Sequence, residues 1–212
     1  MIKTFCKYLS IFLLISLVHG EDKKISSGTI LFLGDSLTAG YGLKQEQAFP
    51  QLIKDKLDGK GLKFKVLNGG VSGNTSAGGV RRVNWYFKTK IDVLVLALGA
   101  NDGLRGLPIK STKENLQKII DAARKKNPNI KIVLAGMKVP PNMGKDYFKN
   151  FEELFPKLAK DNSCELVPFL LENVAGLKDF NLPDGIHPNA EGHKRIAETV
   201  FKSLKNVISM SK

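Results

Sequence analysis

Short apolar runs alternate with amphipathic segments along the chain from residue 29 onward. The run from Asp92 to Leu98 is apolar without alternation, which is typical of a central strand covered on both faces. The segment around Leu116 and Ile120 instead repeats its apolar residues at helical spacing. The pattern predicts strands at 29–33, 64–67, 92–98, 130–135 and 165–167, and helices at 49–57, 77–87, 111 or 112 to 126, 148–161 (bent or divided by Pro156) and 189–207.

Five strands that alternate with helices predict a single α/β domain. Successive strands joined by helices pair in parallel, so the expected fold is a three-layer α/β/α sandwich with a five-stranded, mostly parallel sheet. Ligands and reactive groups in such folds lie beyond the carboxyl ends of the strands. The residues that follow each predicted strand are therefore the first place to look for chemistry.

Residues 1–20 follow a different pattern from the rest of the chain. Lys3 and Lys7 precede an apolar run from Tyr8 to Val18, and a polar stretch follows Gly20. This layout is typical of a cleavable secretory signal, and the apolar run is short for a membrane-spanning helix. We therefore expect a signal peptide at 1–20, a single domain at 21–212, and a periplasmic or secreted protein.

Charge and cysteine content exclude several classes of protein. The net charge is +13, and loss of Lys3 and Lys7 with the signal would leave +11. The lysines are spread along the chain without a nucleic-acid motif, so we expect a solvated basic surface and no nucleic-acid partner. Weak attraction to anionic membrane surfaces stays open, as peripheral contact at most. With Cys6 inside the signal, Cys164 is predicted to be a buried, unreactive thiol without a disulfide partner.

No cofactor is expected from the sequence. The chain holds three histidines and two cysteines in no metal-binding spacing, so no metal site is predicted. The glycines that follow the first strand do not form a phosphate-binding fingerprint, which disfavours a nucleotide cofactor.

Four polar, mostly glycine-rich segments carry the candidate chemistry. Three of them directly follow predicted strands, and the fourth precedes the last helix; they are Gly34–Gly42, Asn68–Thr75, Gly99–Gly103 and Asp184–Pro188. In this order they resemble the conserved blocks of the SGNH (GDSL) hydrolases, closest to the bacterial secreted acyl-CoA thioesterase I, lysophospholipase L1 and arylesterase group. The resemblance covers nearly all of residues 21–212 and implies a flavodoxin-like fold.

The resemblance places Ser36 at the nucleophile position and Asp184 and His187 at the other two triad positions. A serine hydroxyl needs a neighbouring base, and histidine is suited to that task near neutral pH. Because Asp184 lies three residues before His187, its carboxylate can orient the imidazole. The alternative for Ser36 is a helix cap without catalytic duty.

The oxyanion positions fall on Ser36, Gly73 and Asn101. The backbone N–H groups of Ser36 and Gly73 and the side-chain amide of Asn101 are the expected donors. The alternative for Asn101 is a loop amide that bonds its own backbone. Asp35 and Asp102 are expected to order their loops, and His193 is expected on the surface of the last helix.

Two loops are candidates for an acyl-binding trough, through Leu107, Pro108, Val139 and Pro140. Packing against neighbouring helices is an equally good account of these residues. The predicted function is an exported serine esterase or thioesterase that acts on small acyl esters or thioesters, lysophospholipids among them, as a monomer. A carbohydrate or cell-envelope glycan O-deacetylase and a noncatalytic lipid-binding envelope protein are the alternatives.

Overall fold

A computed structural model describes residues 25–209 of the chain. The predicted signal at residues 1–20 lies outside the described residues. Five strands form one sheet: β1 Ser27–Gly34, β2 Lys63–Gly70, β3 Val93–Ala97, β4 Lys131–Ala135 and β5 Glu165–Val167. Seven helices accompany them: α1 Ser36–Ala39, α2 Phe49–Asp58, α3 Ser76–Tyr86, α4 Ala100–Leu104, α5 Ile109–Lys126, α6 Lys145–Asp161 and α7 Ala190–Val207.

The sheet is parallel throughout, in the order β2-β1-β3-β4-β5. Helices α2 and α7 pack together on one face, whereas α3, α5 and α6 form a continuous layer on the other. This is the predicted three-layer α/β/α sandwich, with the strand order of flavodoxin-like folds. The order reverses between β1 and β3, the point at which such folds place their ligands.

The hydrophobic core lies on both faces of the central strands. Every residue from Ile30 to Leu33 in β1 and from Val93 to Ala97 in β3 is fully buried. Burial on both faces explains why these strands read as unbroken apolar runs rather than as alternating patterns.

The strand register aligns the carboxyl ends of the first three strands. Gly34 at the end of β1 pairs with Gly70 of β2 on one side and with Ala97 of β3 on the other. The loops that follow these strands therefore emerge side by side. At Gly70 a β-carbon would lie 2.2 Å from the Ala39 nitrogen, so only glycine lets the first turn after β1 pack against β2.

Two helices differ from their predicted form. Helix α5 begins at Ile109, before the predicted start at residue 111 or 112. Pro108 occupies the position before the first helical residue. The buried Thr112 hydroxyl donates to the Asp102 carboxylate and so does not cap the start of the helix. Helix α6 runs unbroken through Pro156, which is exposed and omits only one backbone hydrogen bond.

Cys164 is half-buried rather than fully buried as predicted. Burial raises the pKa of its thiol to about 11, so the group is protonated at neutral pH. Its sulfur lies 3.6 Å from the Asn162 carbonyl oxygen. Among residues 25–209, no helix is long and apolar enough to cross a membrane.

Candidate active site

Ser36 is the first residue of α1, directly beyond the end of β1. The Asp35 side chain caps this helix by accepting the Leu37 N–H at 3.0 Å, and Gly40 ends it in a left-handed conformation. The sharp strand-to-helix turn leaves the Ser36 side chain 8% exposed at the wall of a cavity. A capping role for Ser36 is thus taken by Asp35.

Asp184, His187 and Ser36 form a continuous hydrogen-bonded chain. The His187 Nε2 atom lies 3.0 Å from the Ser36 hydroxyl oxygen, and its Nδ1 atom lies 2.6 Å from an Asp184 carboxylate oxygen. The other Asp184 oxygen accepts the N–H groups of Ile186 and His187, each at 2.9 Å. The His187 N–H first, and then its imidazole, lower the pKa of Asp184 to about 2, so the carboxylate is charged.

The aromatic ring of Tyr41 packs on the imidazole of His187, with ring centroids 4.4 Å apart and planes tilted by 37°. Tyr41 was not among the predicted site residues, although it lies inside the segment Gly34–Gly42. Its position restricts the space into which the imidazole can turn. The ring of His187 is therefore held from two sides, by Asp184 and by Tyr41.

The three oxyanion candidates lie beyond the ends of β1, β2 and β3, and two of them, Ser36 and Asn101, line the same cavity, whereas Gly73 does not line it. Gly73 has a φ of +74°, a conformation that favours glycine, and Asn101 lies in the first turn of α4. Within the described part of the chain, the N–H groups of Ser36 and Gly73 donate to no protein acceptor. Neither N–H group would therefore have to give up a protein acceptor to bind another oxygen atom.

The Asn101 amide nitrogen has two protein acceptors. It lies 3.3 Å from an Asp35 carboxylate oxygen and 3.1 Å from the Asn74 carbonyl oxygen. Asp35 itself is fully buried, and this burial raises its pKa to about 6 against the lowering effect of the Leu37 N–H and of Asn101. Asp35 orders its loop as predicted. Asp102 does so too, through Ser76 and Thr112.

Arg82 ties the strand ends together behind this site. Its guanidinium donates to the carbonyl oxygens of Gly34 and Gly69, each at 2.6 Å, and to the Asn74 side chain at 3.0 Å. Arg82 lies in α3, 48 residues from Gly34, and no local sequence pattern indicated it. Arg105 reinforces the same region by donating to the Gly73 carbonyl at 3.0 Å.

A cavity of about 590 Å³ opens beside Ser36. Val139 and Pro140 line it as predicted, but Leu107 and Pro108 do not. The Leu107 carbonyl instead accepts the Tyr147 hydroxyl at 2.8 Å, and Pro108 caps α5, which holds this loop away from the cavity. Leu104, which begins the first candidate loop, also lines the cavity. The rest of the apolar wall includes residues that were not predicted: Leu37, Phe169, Leu171 and Ile186.

The prediction that His193 lies on the surface of α7 is wrong. Its side chain is 1% exposed, because this face of α7 packs against α2. The Nδ1 atom accepts the Phe49 N–H at 3.1 Å, which satisfies a backbone donor at the start of α2. Burial lowers the pKa of His193 to about 4, so the imidazole is neutral and structural.

Comparison with known proteins identifies the family. Residues 32–195 match the GDSL-like lipase/acylhydrolase family. The chain belongs to this family. It is accordingly an ester or thioester hydrolase of the GDSL type, and the matched span contains all five predicted triad and oxyanion residues. Among residues 25–209, no three His, Cys, Asp or Glu side chains are grouped to bind a metal ion.

Individual members of this GDSL family are similar over most of their length. An arylesterase of Vibrio mimicus is 39% identical over 180 residues, which are 84% of this chain and 89% of that protein. The thioesterase 1/protease 1/lysophospholipase L1 of Escherichia coli strain K12 is 36% identical over 87% of this chain and 86% of its own. The crystal structure of TesA superposes with a TM-score of 0.81 at 35% identity, covering 85% of this chain and 99% of that one. The predicted fold is thereby confirmed.

Proposed function

We propose that the protein hydrolyses acyl esters and thioesters through a covalent acyl intermediate on Ser36. The observation that carries the proposal is the unbroken chain from Asp184 through His187 to the Ser36 hydroxyl. Because Asp184 is charged, it holds a proton on Nδ1 and leaves Nε2 free to accept the serine proton. The Ser36 oxygen then attacks the acyl carbon, and His187 returns the proton to the departing alcohol or thiol. Water, activated by the same imidazole, releases the acid.

Negative charge develops on the substrate carbonyl oxygen during both steps. The N–H groups of Ser36 and Gly73, which lack protein acceptors among the described residues, suit this oxygen. The Asn101 amide is the third donor. One of its hydrogens must exchange a protein acceptor for the oxyanion, since both have acceptors in the free enzyme.

The cavity favours acyl groups longer than acetate. Its volume is far larger than an acetyl group needs, and its wall is mostly aliphatic or aromatic. Leu104 and Ile186 line it and are also about half exposed, so the apolar surface continues to its rim. A protruding acyl chain or a lipid surface would contact this rim, which supports lysophospholipids as substrates and peripheral membrane contact.

Hydrolysis of p-nitrophenyl esters from acetate to decanoate tests the proposal. We expect turnover to rise beyond acetate, to fall at least a thousandfold in Ser36→Ala, and a fluorophosphonate to label the wild type but not this variant. Cys164→Ala is the matched control, since it removes the one cysteine thiol among residues 25–209 and should retain full turnover. Undiminished turnover in Ser36→Ala would refute the mechanism, and activity confined to acetate would point to the O-deacetylase.

Thioester and lysophospholipid substrates extend the same test. The arylesterase and the thioesterase/lysophospholipase among the relatives support ester, thioester and lysophospholipid hydrolysis at one site. We expect Ser36→Ala to abolish hydrolysis of acyl-CoA and of lysophosphatidylcholine together. Retention of one activity would show that it arises elsewhere in the protein.

We also propose that the enzyme acts outside the cytoplasm, on the strength of the signal-like pattern in residues 1–20. Expression of the full chain in a bacterial host, followed by fractionation and N-terminal sequencing, tests the export. The expected mature protein begins near residue 21 in the periplasm or medium. Uncleaved protein in the cytoplasm would contradict it.

A further inference from the structure

A buried carboxylate connects the nucleophile's turn to the third oxyanion donor. Asp35 directly precedes Ser36, and its two carboxylate oxygens have different partners. One oxygen accepts the Leu37 N–H and so caps α1, while the other accepts from the Asn101 amide across the β1–β3 boundary. The fully buried Asp35 side chain therefore contacts both the turn that carries Ser36 and the Asn101 amide.

The contact with Asp35 also determines where the rest of the Asn101 amide is directed. A primary amide has two N–H bonds about 120° apart in one plane. With one hydrogen bonded to Asp35, the second is directed to the Asn74 carbonyl. That carbonyl follows Gly73, whose N–H has no protein acceptor in the described region. The acceptor of the second Asn101 hydrogen thus belongs to the residue that directly follows Gly73.

The Asn74 side of this arrangement is itself fixed. Its side-chain oxygen accepts from Arg82, which also binds the carbonyl oxygens of Gly34 and Gly69 at the ends of β1 and β2. The amide of Asn101 is consequently held between two anchored acceptors, and Asp35 is the one next to the nucleophile.

We propose that Asp35 is a positioning residue that orients the Asn101 amide for oxyanion stabilisation. The inference rests on the proposed function of Asn101. A helix cap alone does not require a carboxylate here, because a serine would cap α1 as well without placing a charged group in the core. The carboxylate differs from serine in its reach to Asn101, which a hydroxyl at this position lacks.

Two variants separate these duties. Asp35→Ser retains a cap for the Leu37 N–H but is too short to reach Asn101. Asp35→Asn retains the size, but an NH2 group replaces one of the two carboxylate oxygens and cannot accept the N–H donor that this oxygen binds. For both we expect kcat on p-nitrophenyl butyrate to fall about tenfold, with KM changed less than twofold, because the lost interaction acts in the transition state.

A double-mutant cycle with Asn101→Ala gives the decisive readout. If Asp35 acts through Asn101, then Asp35→Ser in the Asn101→Ala background should lower kcat less than twofold further. A purely structural role of Asp35 would lower kcat by the same factor in both backgrounds, and that result would overturn the proposal. A rise in KM at unchanged kcat would overturn it as well.

Asp102→Asn is the matched control. Asp102 is also buried and is adjacent to Asn101 in the chain, but its hydrogen bonds go to Ser76 and Thr112. The Asp102→Asn substitution should lower kcat by the same factor in the wild type and in Asn101→Ala. If Asp102 were coupled to Asn101 as strongly as Asp35 is, that result would contradict a specific role for Asp35. Failure of the proposed function itself would appear separately, as full activity of Asn101→Ala or Ser36→Ala.

Discussion

The two edges of the parallel sheet carry cavities of opposite character. At the carboxyl edge, a cavity of about 590 Å³ with a mostly apolar wall surrounds Ser36. At the amino edge, a larger one of about 950 Å³ is lined mainly by charged and polar residues, such as Lys90, Asp92 and Arg124. Its size would make the amino edge the more obvious candidate for a binding site.

The chemistry of the groups decides in favour of the smaller cavity. At the amino edge the polar groups satisfy one another: Asp92 accepts the Thr29 N–H at 2.9 Å and pairs with Lys90 at 2.9 Å. At the carboxyl edge, two N–H donors lack acceptors among the described residues, and a base faces a hydroxyl. Unsatisfied donors beside a hydroxyl and an imidazole, rather than volume, favour this cavity as the proposed active site.

The same chemical change at the two edges should therefore have very different effects on turnover. Asp184→Asn removes the charge that orients His187, so we expect kcat to fall by about 10³ to 10⁴. Asp92→Asn removes a charge of equal sign from the amino edge and should change kcat less than twofold. Steady-state hydrolysis of p-nitrophenyl butyrate measures kcat of both variants. Comparable losses of kcat in the two variants would contradict the assignment of catalysis to the carboxyl edge.

Buried titratable groups on the site side should also control how stability depends on pH. His193 has a folded pKa of about 4, below its ordinary 6.5, so protonation favours the unfolded chain. The free energy of unfolding should fall by about 3 kcal/mol relative to His193→Gln as the pH drops from 6.5 to 4. Urea unfolding of both proteins at several pH values measures this difference, and parallel pH curves would contradict it.

Asp35 should act in the opposite direction. Its carboxyl has a folded pKa of about 6, above the ordinary 3.8, because burial disfavours the charged form more than the Leu37 N–H and the Asn101 amide favour it. The folded state therefore holds this proton more tightly, and wild type should lose about 2 kcal/mol relative to Asp35→Asn as the pH rises from 3.8 to 6. The same urea titration measures it, and a difference that is constant with pH would be evidence against the buried charge.

The smallest effect is expected from the thiol at the amino edge. Because its raised pKa keeps Cys164 protonated, it should resist alkylation by iodoacetamide at pH 7.5. Cys164→Ala should leave kcat within twofold and reduce the free energy of unfolding by about 1 kcal/mol or less. Rapid alkylation of native protein, against an unfolded control, would show that this edge is more reactive than its contacts indicate.

The positions of most candidate site residues could be predicted from the sequence, because three of the four polar segments directly follow apolar strands. Ser36, Gly73 and Asn101 each follow a strand within a few residues, and the local pair Asp184 and His187 lies three residues apart. Parallel pairing then brings distant loops to one edge.

Features that depend on long-range packing were missed or misplaced. Arg82 reaches Gly34 across 48 residues, and the Tyr147 hydroxyl holds the Leu107 loop across 40. His193 is a different case, since it precedes Ile196 and Ala197 by three and four residues and so continues the apolar face of α7. Its helical spacing indicated burial, but its polarity suggested the surface.

The loop that carries Asp184 and His187 bears on the order in which activity appears during folding. His187 lies 151 residues from Ser36, and the loop leads directly into α7 through the Asn189 cap. Helix α7 packs on α2, the helix that follows the nucleophile's turn. We therefore expect a refolding chain to stay inactive until α7 docks, so that the return of esterase activity reports the docking of the final helix.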